Sequence, residues 1–193
     1  MKYRTILLFG APGAGKGTQG KILGTIPNFF HCACGDVFRN LTLDSEIGRV
    51  FARYSSRGEL VPDRPTIELW RQSIKTNIQA GRFRPDQDTL VLDGIPRNAH
   101  QAAILKDTLK VVAIFYLRST NVNSLVHRLQ RRAFKENRLD DANLDVIRHR
   151  LKTYEKETKP VLDFYGKSLL RRINADQTPV EVFFDILRQV VKL

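Results

Sequence analysis

A continuous apolar run, Thr5–Phe9 (TILLF), leads straight into Gly10-Ala11-Pro12-Gly13-Ala14-Gly15-Lys16-Gly17-Thr18-Gln19. The run reads as a central strand buried on both faces. The chain must then turn sharply and open a helix through about Leu23. Glycines let successive backbone N–H groups curl around an anion, and the start of a helix adds its positive dipole end. A lysine in this position reaches the β and γ phosphates of a nucleoside triphosphate. Gly13, Ala14, Gly15, Lys16, Gly17 and Thr18 are therefore the candidate triphosphate-binding residues. The general pattern puts Ser or Thr directly after the lysine. Here Gly17 stands in that place, and the hydroxyl comes one residue later, at Thr18.

Strand patterns recur at Asn28–Ala33, Asp88–Leu92 (DTLVL), Val111–Leu117 (VVAIFYL) and Leu169–Ile173. Helical patterns fill the gaps. They run over Gly35–Arg57 with a break near Thr42–Ser45, where Asp44 or Ser45 caps the second part. They continue over Arg64–Ala80, Asn98–Leu109, Asn121–Arg132, Asn143–Tyr165 with a bend near Pro160, and Pro179–Val191. Ala133–Asp141 reads as a charged connection. The alternation predicts an α/β fold: a three-layer, doubly wound parallel sheet of the P-loop NTPase type. A chain of 193 residues suits one such domain, 1–193. In these sheets ligands bind at the carboxyl ends of the strands, where the candidate motifs fall.

Charge narrows the partners. The formal net charge is +12, and Arg outnumbers Lys. A basic surface suits nucleic acid, an anionic membrane or small polyanions such as nucleotides, and Arg forks grip phosphate with paired hydrogen bonds. No apolar run approaches the roughly 20 residues of a membrane-spanning helix, and the opening residues lack the pattern of a signal peptide. Cys32 and Cys34 are the only cysteines. They read as two reduced thiols in a cytoplasmic protein.

Further motifs follow in order: Cys34-Gly35-Asp36-Val37-Phe38-Arg39, Gly58-Glu59-Leu60-Val61-Pro62, Leu92-Asp93-Gly94-Ile95-Pro96-Arg97 with Gln101 beyond it, Arg128 and Arg132, Arg138-Leu139-Asp140-Asp141, and Arg150. Together with GAPGAGKGTQ, this series resembles the adenylate kinases and their nucleoside monophosphate kinase relatives over nearly the whole chain. The resemblance implies transfer of the γ-phosphoryl group of ATP to AMP, reversibly giving two ADP. It implies a helical acceptor-binding segment at about 35–64 and a short lid at about 132–141. Lys16, Arg97, Arg128, Arg132, Arg138 and Arg150 would then be catalytic, and Arg128, Arg132 and Gln177 would meet ATP beside the glycine loop. Cys34, Arg39, Glu59, Leu60, Val61, Gly94, Arg97, Gln101, Arg138 and Arg150 would meet AMP. Asp93 would orient Mg²⁺ through water. The short lid lacks the cysteines that hold zinc in long-lid relatives, so no structural zinc is expected. The expected form is a monomer.

The residues make chemical sense on their own. Phosphoryl transfer asks mainly for positioning and positive charge. The acceptor phosphate is itself the nucleophile and is largely ionised at neutral pH, with a second pKa of about 6. No general base is needed, and none stands out. Relatives that favour UMP or CMP usually carry Asn at the place of Gln101, so Gln101 favours AMP. Cys34 stands where adenylate kinases usually carry Thr, and as a weak hydrogen-bond donor of similar size it is expected to weaken or broaden the selection of base. His31 reads as structural. Phe134, in the lid, either packs on the body or stacks on the donor base. Two alternatives stand beside the AMP reading: a UMP/CMP kinase, and a basic nucleic-acid-binding protein with a vestigial phosphate loop. Against the second, the chain has no RNA-binding signature or helix-turn-helix pattern.

Overall fold

Side chains along β1 (Tyr3–Gly10) alternate between two apolar layers. Leu7 and Phe9 join one core and Ile6 and Leu8 the other, and all four are buried. The computed structural model describes residues 2–42, 44–136, 141 and 143–193. Around β1 it assembles a five-stranded parallel sheet from β2 (Phe29–Ala33), β3 (Thr89–Asp93), β4 (Leu109–Arg118) and β5 (Leu170–Asn174), in the order β2-β3-β1-β4-β5.

Helices cover both faces. On one side α1 (Lys16–Leu23), α6 (Val122–Glu136) and α9 (Pro179–Val190) contribute Leu23, Leu125, Val182 and Ile186, which bury Val91 and Phe115. On the other side lie α2 (Cys34–Arg39), α4 (Asp63–Gln79), α5 (Ala99–Leu105) and α8 (Val161–Tyr165). Trp70, Ile74, Leu105 and Val161 pack there against Leu92 and Ile114. α3 (Glu46–Ser55) and α7 (Leu144–Thr153) complete the helices. Strands buried on both faces read as unbroken apolar runs, which is why the sheet was visible in the sequence.

Several boundaries differ from the sequence reading, each for a local reason. β4 starts at Leu109 because Leu109 and Lys110 pair with Tyr3 and Arg4, and α5 ends earlier, at Leu105. Ser45, not Asp44, caps α3, accepting from Gly48 N at 3.0 Å. The long helix expected over Asn143–Tyr165 is interrupted ahead of Pro160 by a π-helical turn, Tyr154–Thr158, closed by Lys159 N to Tyr154 O at 2.9 Å. Proline has no N–H to continue the ladder, so the helix widens before it and α8 begins after it. α6 runs on through Glu136, into the stretch read as a charged connection. Ala133, Lys135 and Glu136 are good helix formers.

Candidate active site

β1 and β3 are neighbours, yet the chain leaves β1 toward β2 and leaves β3 toward β4. The sheet therefore switches direction between them, and a crevice opens at their carboxyl ends. A cavity of about 830 Å³ occupies it. Every expected site residue among those described lines this cavity: the loop residues Gly13–Thr18, then Cys34, Arg39, Glu59, Leu60, Val61, Asp93, Gly94, Arg97, Gln101, Arg128, Arg132, Arg150 and Gln177. Arg138 lies outside the described residues, as does much of the expected lid.

The glycine loop turns through left-handed backbone at Gly13 (φ 85°) and Gly15 (φ 94°). A β-carbon on Gly13 would meet Leu125 O at 2.8 Å, so the loop backbone lies directly on α6. Nothing stands within 4 Å of where a Gly15 β-carbon would be, and Gly15 caps α1 without a side chain. Conformational freedom and an open approach to backbone N–H groups are what an anion cradle requires. Lys16 begins α1, and its Nζ donates to Gly10 O at 2.7 Å and Ala11 O at 3.2 Å. Burial pushes the ammonium down to about 8; Asp93 opposes this, and Arg97, Arg132 and Arg150 add to it.

On the opposite wall, Cys34 starts α2 and Arg39 ends it, paired with Asp36 at 2.8 Å. Burial pushes the Cys34 thiol up to about 11, with Arg97 pulling against it, so it remains a neutral thiol. Arg97 Nε donates to Gly94 O and its backbone N–H to Gln101 Oε1, both at 2.8 Å. A β-carbon on Gly58 (φ 72°) would meet Val146 O and Arg150 Cγ at 2.9 Å, which seats the Gly58–Val61 loop against α7.

Two arginines are braced by one acid. Asp141, fully buried, accepts from Arg132 Nη2 at 2.6 Å and Nε at 2.8 Å, and its other oxygen pairs with Arg150 Nη1. Arg128 Nη1 donates to Ala175 O at 2.9 Å, joining α6 to the loop after β5. That loop is tied in turn by Asp176, which accepts from Thr120 N at 2.7 Å and from Ser119 Oγ. The Gln177 amide donates to Asp185 at 2.7 Å.

Asp93 closes β3 and is nearly buried, with its Oδ2 in van der Waals range of where a Gly17 β-carbon would stand. Among the described residues no group of three or more His, Cys, Asp or Glu is arranged to hold a metal. One carboxylate and the Thr18 hydroxyl beside a phosphate cradle form a hard-oxygen donor set. They suit a Mg²⁺ that arrives with phosphate oxygens and keeps its own waters.

His31 lies against α1 between Gly20 and Gly24, whose absent side chains make room for it. Burial pushes its imidazole down, against the pull of Asp93 and Asp36. It is a packing residue, as read. Phe134 does not pack on the body, the first place expected for it; it stands on α6 and is 90% exposed. Sequence reasoning assigned no role to Asp63, Asp141 or Asp176. Asp63 directly follows the Gly58–Pro62 motif, Asp141 is the last residue of the motif that begins at Arg138, and Asp176 precedes Gln177, but a carboxylate beside a loop reads equally well as a helix-opening acid.

The sequence pattern defining the family described as adenylate kinase matches residues 8–170. The chain belongs to the adenylate kinase family. The adenylate kinase of Thermobifida fusca is 37% identical over 177 residues, spanning 88% of this chain and 89% of the relative. That of Cyanothece sp. is 36% identical over 195 residues, with 97% and 95% covered. That of Leptospira biflexa is 34% identical over 193 residues, with 97% and 100% covered. As a member of this family the chain is an enzyme, a nucleoside monophosphate kinase, and the reading as a nucleic-acid-binding protein is not favoured. No described helix is long and apolar enough to cross a membrane.

Proposed function

We propose that this member of the adenylate kinase family transfers the γ-phosphoryl group of ATP to AMP, reversibly giving two ADP, through the residues named above. One observation carries the assignment of roles. The glycine loop and the Cys34–Arg39, Gly58–Val61 and Gln101 wall line a single cavity, and the charges of Arg97, Arg132 and Arg150 all act on the Lys16 ammonium between them.

ATP occupies the loop side. Backbone N–H groups of Gly13–Thr18 and Lys16 hold its phosphates, while Arg128 and the loop around Gln177 receive its base. AMP occupies the other wall. Arg39 and Arg97 hold its phosphate, Leu60 and Val61 cover it, and Gln101 reads the base. The reaction needs a phosphate oxygen brought in line with the γ-phosphorus and charge neutralised as it spreads over the moving group. Lys16, Arg97, Arg132, Arg138 and Arg150 supply that charge in a site shielded from water, where each is worth more than in bulk solvent. Asp93 would hold Mg²⁺ through water, and the bound ion supplies further neutralisation of the β and γ phosphates. Movement of the segment at about 35–64 and of the lid at about 132–141 over the substrates would exclude water and limit loss of the γ-phosphoryl group to hydrolysis.

Steady-state kcat/KM for AMP, CMP, UMP and GMP tests the acceptor. AMP is expected to lead, and a CMP preference of roughly tenfold overturns the assignment. Titration with both nucleotides tests the geometry. Two are expected to bind together, and competition for a single place overturns the two-walled reading.

A further inference from the structure

The Gln101 amide is held at both ends. Its Oε1 accepts from the Arg97 backbone N–H at 2.8 Å, and its Nε2 donates to Asp63 Oδ1 at 2.8 Å. Asp63 opens α4 directly after the Leu60-Val61-Pro62 loop. Its Oδ1 also accepts from Asn98 Nδ2 at 2.8 Å, and its Oδ2 lies 2.7 Å from His100 Nδ1. Burial opposes ionisation of Asp63, but the donors on His100, Asn98 and Gln101 outweigh it and hold the carboxyl below its usual range. At neutral pH this carboxylate can only accept, and the Arg97 N–H can only donate. One orientation of the amide satisfies both. Turning it over would set oxygen against carboxylate and N–H against N–H, on a side chain that is itself buried.

Each end keeps one further position, a second hydrogen on Nε2 and a second lone pair on Oε1. Gln101 lines the cavity, so these form a donor and an acceptor in fixed order. Adenine and cytosine offer an amino donor beside a ring-nitrogen acceptor; guanine, hypoxanthine and uracil offer an oxo acceptor beside a ring N–H. The two sets demand opposite orders of the amide.

We propose that Asp63, together with the Arg97 N–H, is a specificity-determining positioning residue: by locking the Gln101 amide in one orientation it makes the acceptor site choose amino bases over oxo bases. This rests on Gln101 reading the acceptor base, as proposed above. Cytosine shares adenine's order, so the lock leaves CMP to be rejected by size. The sharp comparison is AMP against IMP. Hypoxanthine matches adenine in shape and differs only in the reversed donor and acceptor.

The experiment measures kcat/KM for AMP and for IMP, at saturating ATP, in the unmodified chain, Asp63→Asn and Asp63→Ala, with melting curves alongside. An Asn at 63 presents either an acceptor or a donor, and an Ala presents neither, so both remove the Asp63 half of the lock and leave only the Arg97 N–H to hold the amide. The AMP-to-IMP ratio is expected to fall roughly tenfold or more in each variant, the scale on which a paired donor–acceptor contact discriminates. A merely structural role for Asp63 lowers both acceptors alike, and an unchanged ratio in a folded, active variant overturns the proposal. An unmodified chain that uses IMP as well as AMP overturns the proposal, and where the Gln101 amide is nonetheless held in place it overturns the reading of Gln101 on which the proposal rests. A measurement on the unmodified chain needs no variant to fold: the Gln101 Nε2 hydrogen donated to Asp63 should exchange with solvent more slowly than its partner on the same nitrogen, and equal, free exchange of both overturns the lock.

Discussion

Lys16 carries the clearest residue-scale expectations. Its ammonium is pushed from the ordinary 10.5 down to about 8 by burial and three arginines. A triphosphate beside it restores the charged form, so ATP binding near pH 8.5 should take up a fraction of a proton. Calorimetry in buffers of different ionisation enthalpy checks this. The affinity should weaken as pH rises through 8. The sign for stability is separate. Below pH 8 both folded and unfolded chains hold the proton, and the full cost of burying the charge is present. Between 8 and 10.5 the folded lysine is neutral while the unfolded one is charged, and the cost fades. The stabilising effect of Lys16→Met on the free protein should therefore shrink across that window, read as a difference in melting temperature. The same variant should lose roughly a hundredfold or more of its turnover, the scale of removing one preorganised charge from a transferring group. Lys16 was legible from the glycine loop, and Arg97 and Asp93 as lining residues from the resemblance of their motif. Asp141 and Asp63 were not, because their partners lie on other elements.

At the scale of elements, α1 and β2 meet through glycines rather than through large side chains. A β-carbon on Gly20 would lie 2.2 Å from His31 Nε2, and one on Gly24 would lie 2.8 Å from His31 Cβ. Gly20→Ala is expected to cost about 1–3 kcal/mol of stability through overpacking. His31→Ala in the same chain should recover most of it, and a denaturant double-mutant cycle measures the coupling. α3 depends on a different device. Ser45 satisfies Gly48 N at the helix start, and Ser45→Ala should cost about 1 kcal/mol. Circular dichroism on chemical unfolding gives that value. The positions of these elements followed from apolar period and from turn residues. Their ends did not, since pairing with a neighbouring strand, as at Leu109, extends an element beyond its own propensity.

Across the whole molecule, the sheet brings motifs far apart in sequence to one crevice, and cations there outnumber carboxylates. Lys16, Arg39, Arg97, Arg128, Arg132 and Arg150 face a space in which Asp36, Glu59 and Asp93 are the acids of the motif series. Walls of low dielectric focus such a field on incoming polyanions. Affinity for ATP should fall several-fold as ionic strength rises from about 0.05 to about 0.5 M, because the screening length shrinks from above 10 Å to a few ångströms. Isothermal titration at fixed Mg²⁺ follows this. Arg132 and Arg150 meet on Asp141 from α6 and α7, so the same charge set also joins separate parts of the fold.

By itself the sequence determined the parallel sheet, the glycine loop and the residues that line the crevice. These are local properties: an apolar run, a turn that only glycine permits, a lysine at the mouth of a helix. Only the tertiary structure decided which carboxylate braces which arginine, where His31 finds room, and which way round Gln101 presents its amide. Those outcomes depend on donors and acceptors brought together from α4, α5, α6 and α7, and a hydrogen bond between elements leaves no periodic trace in the chain that makes it.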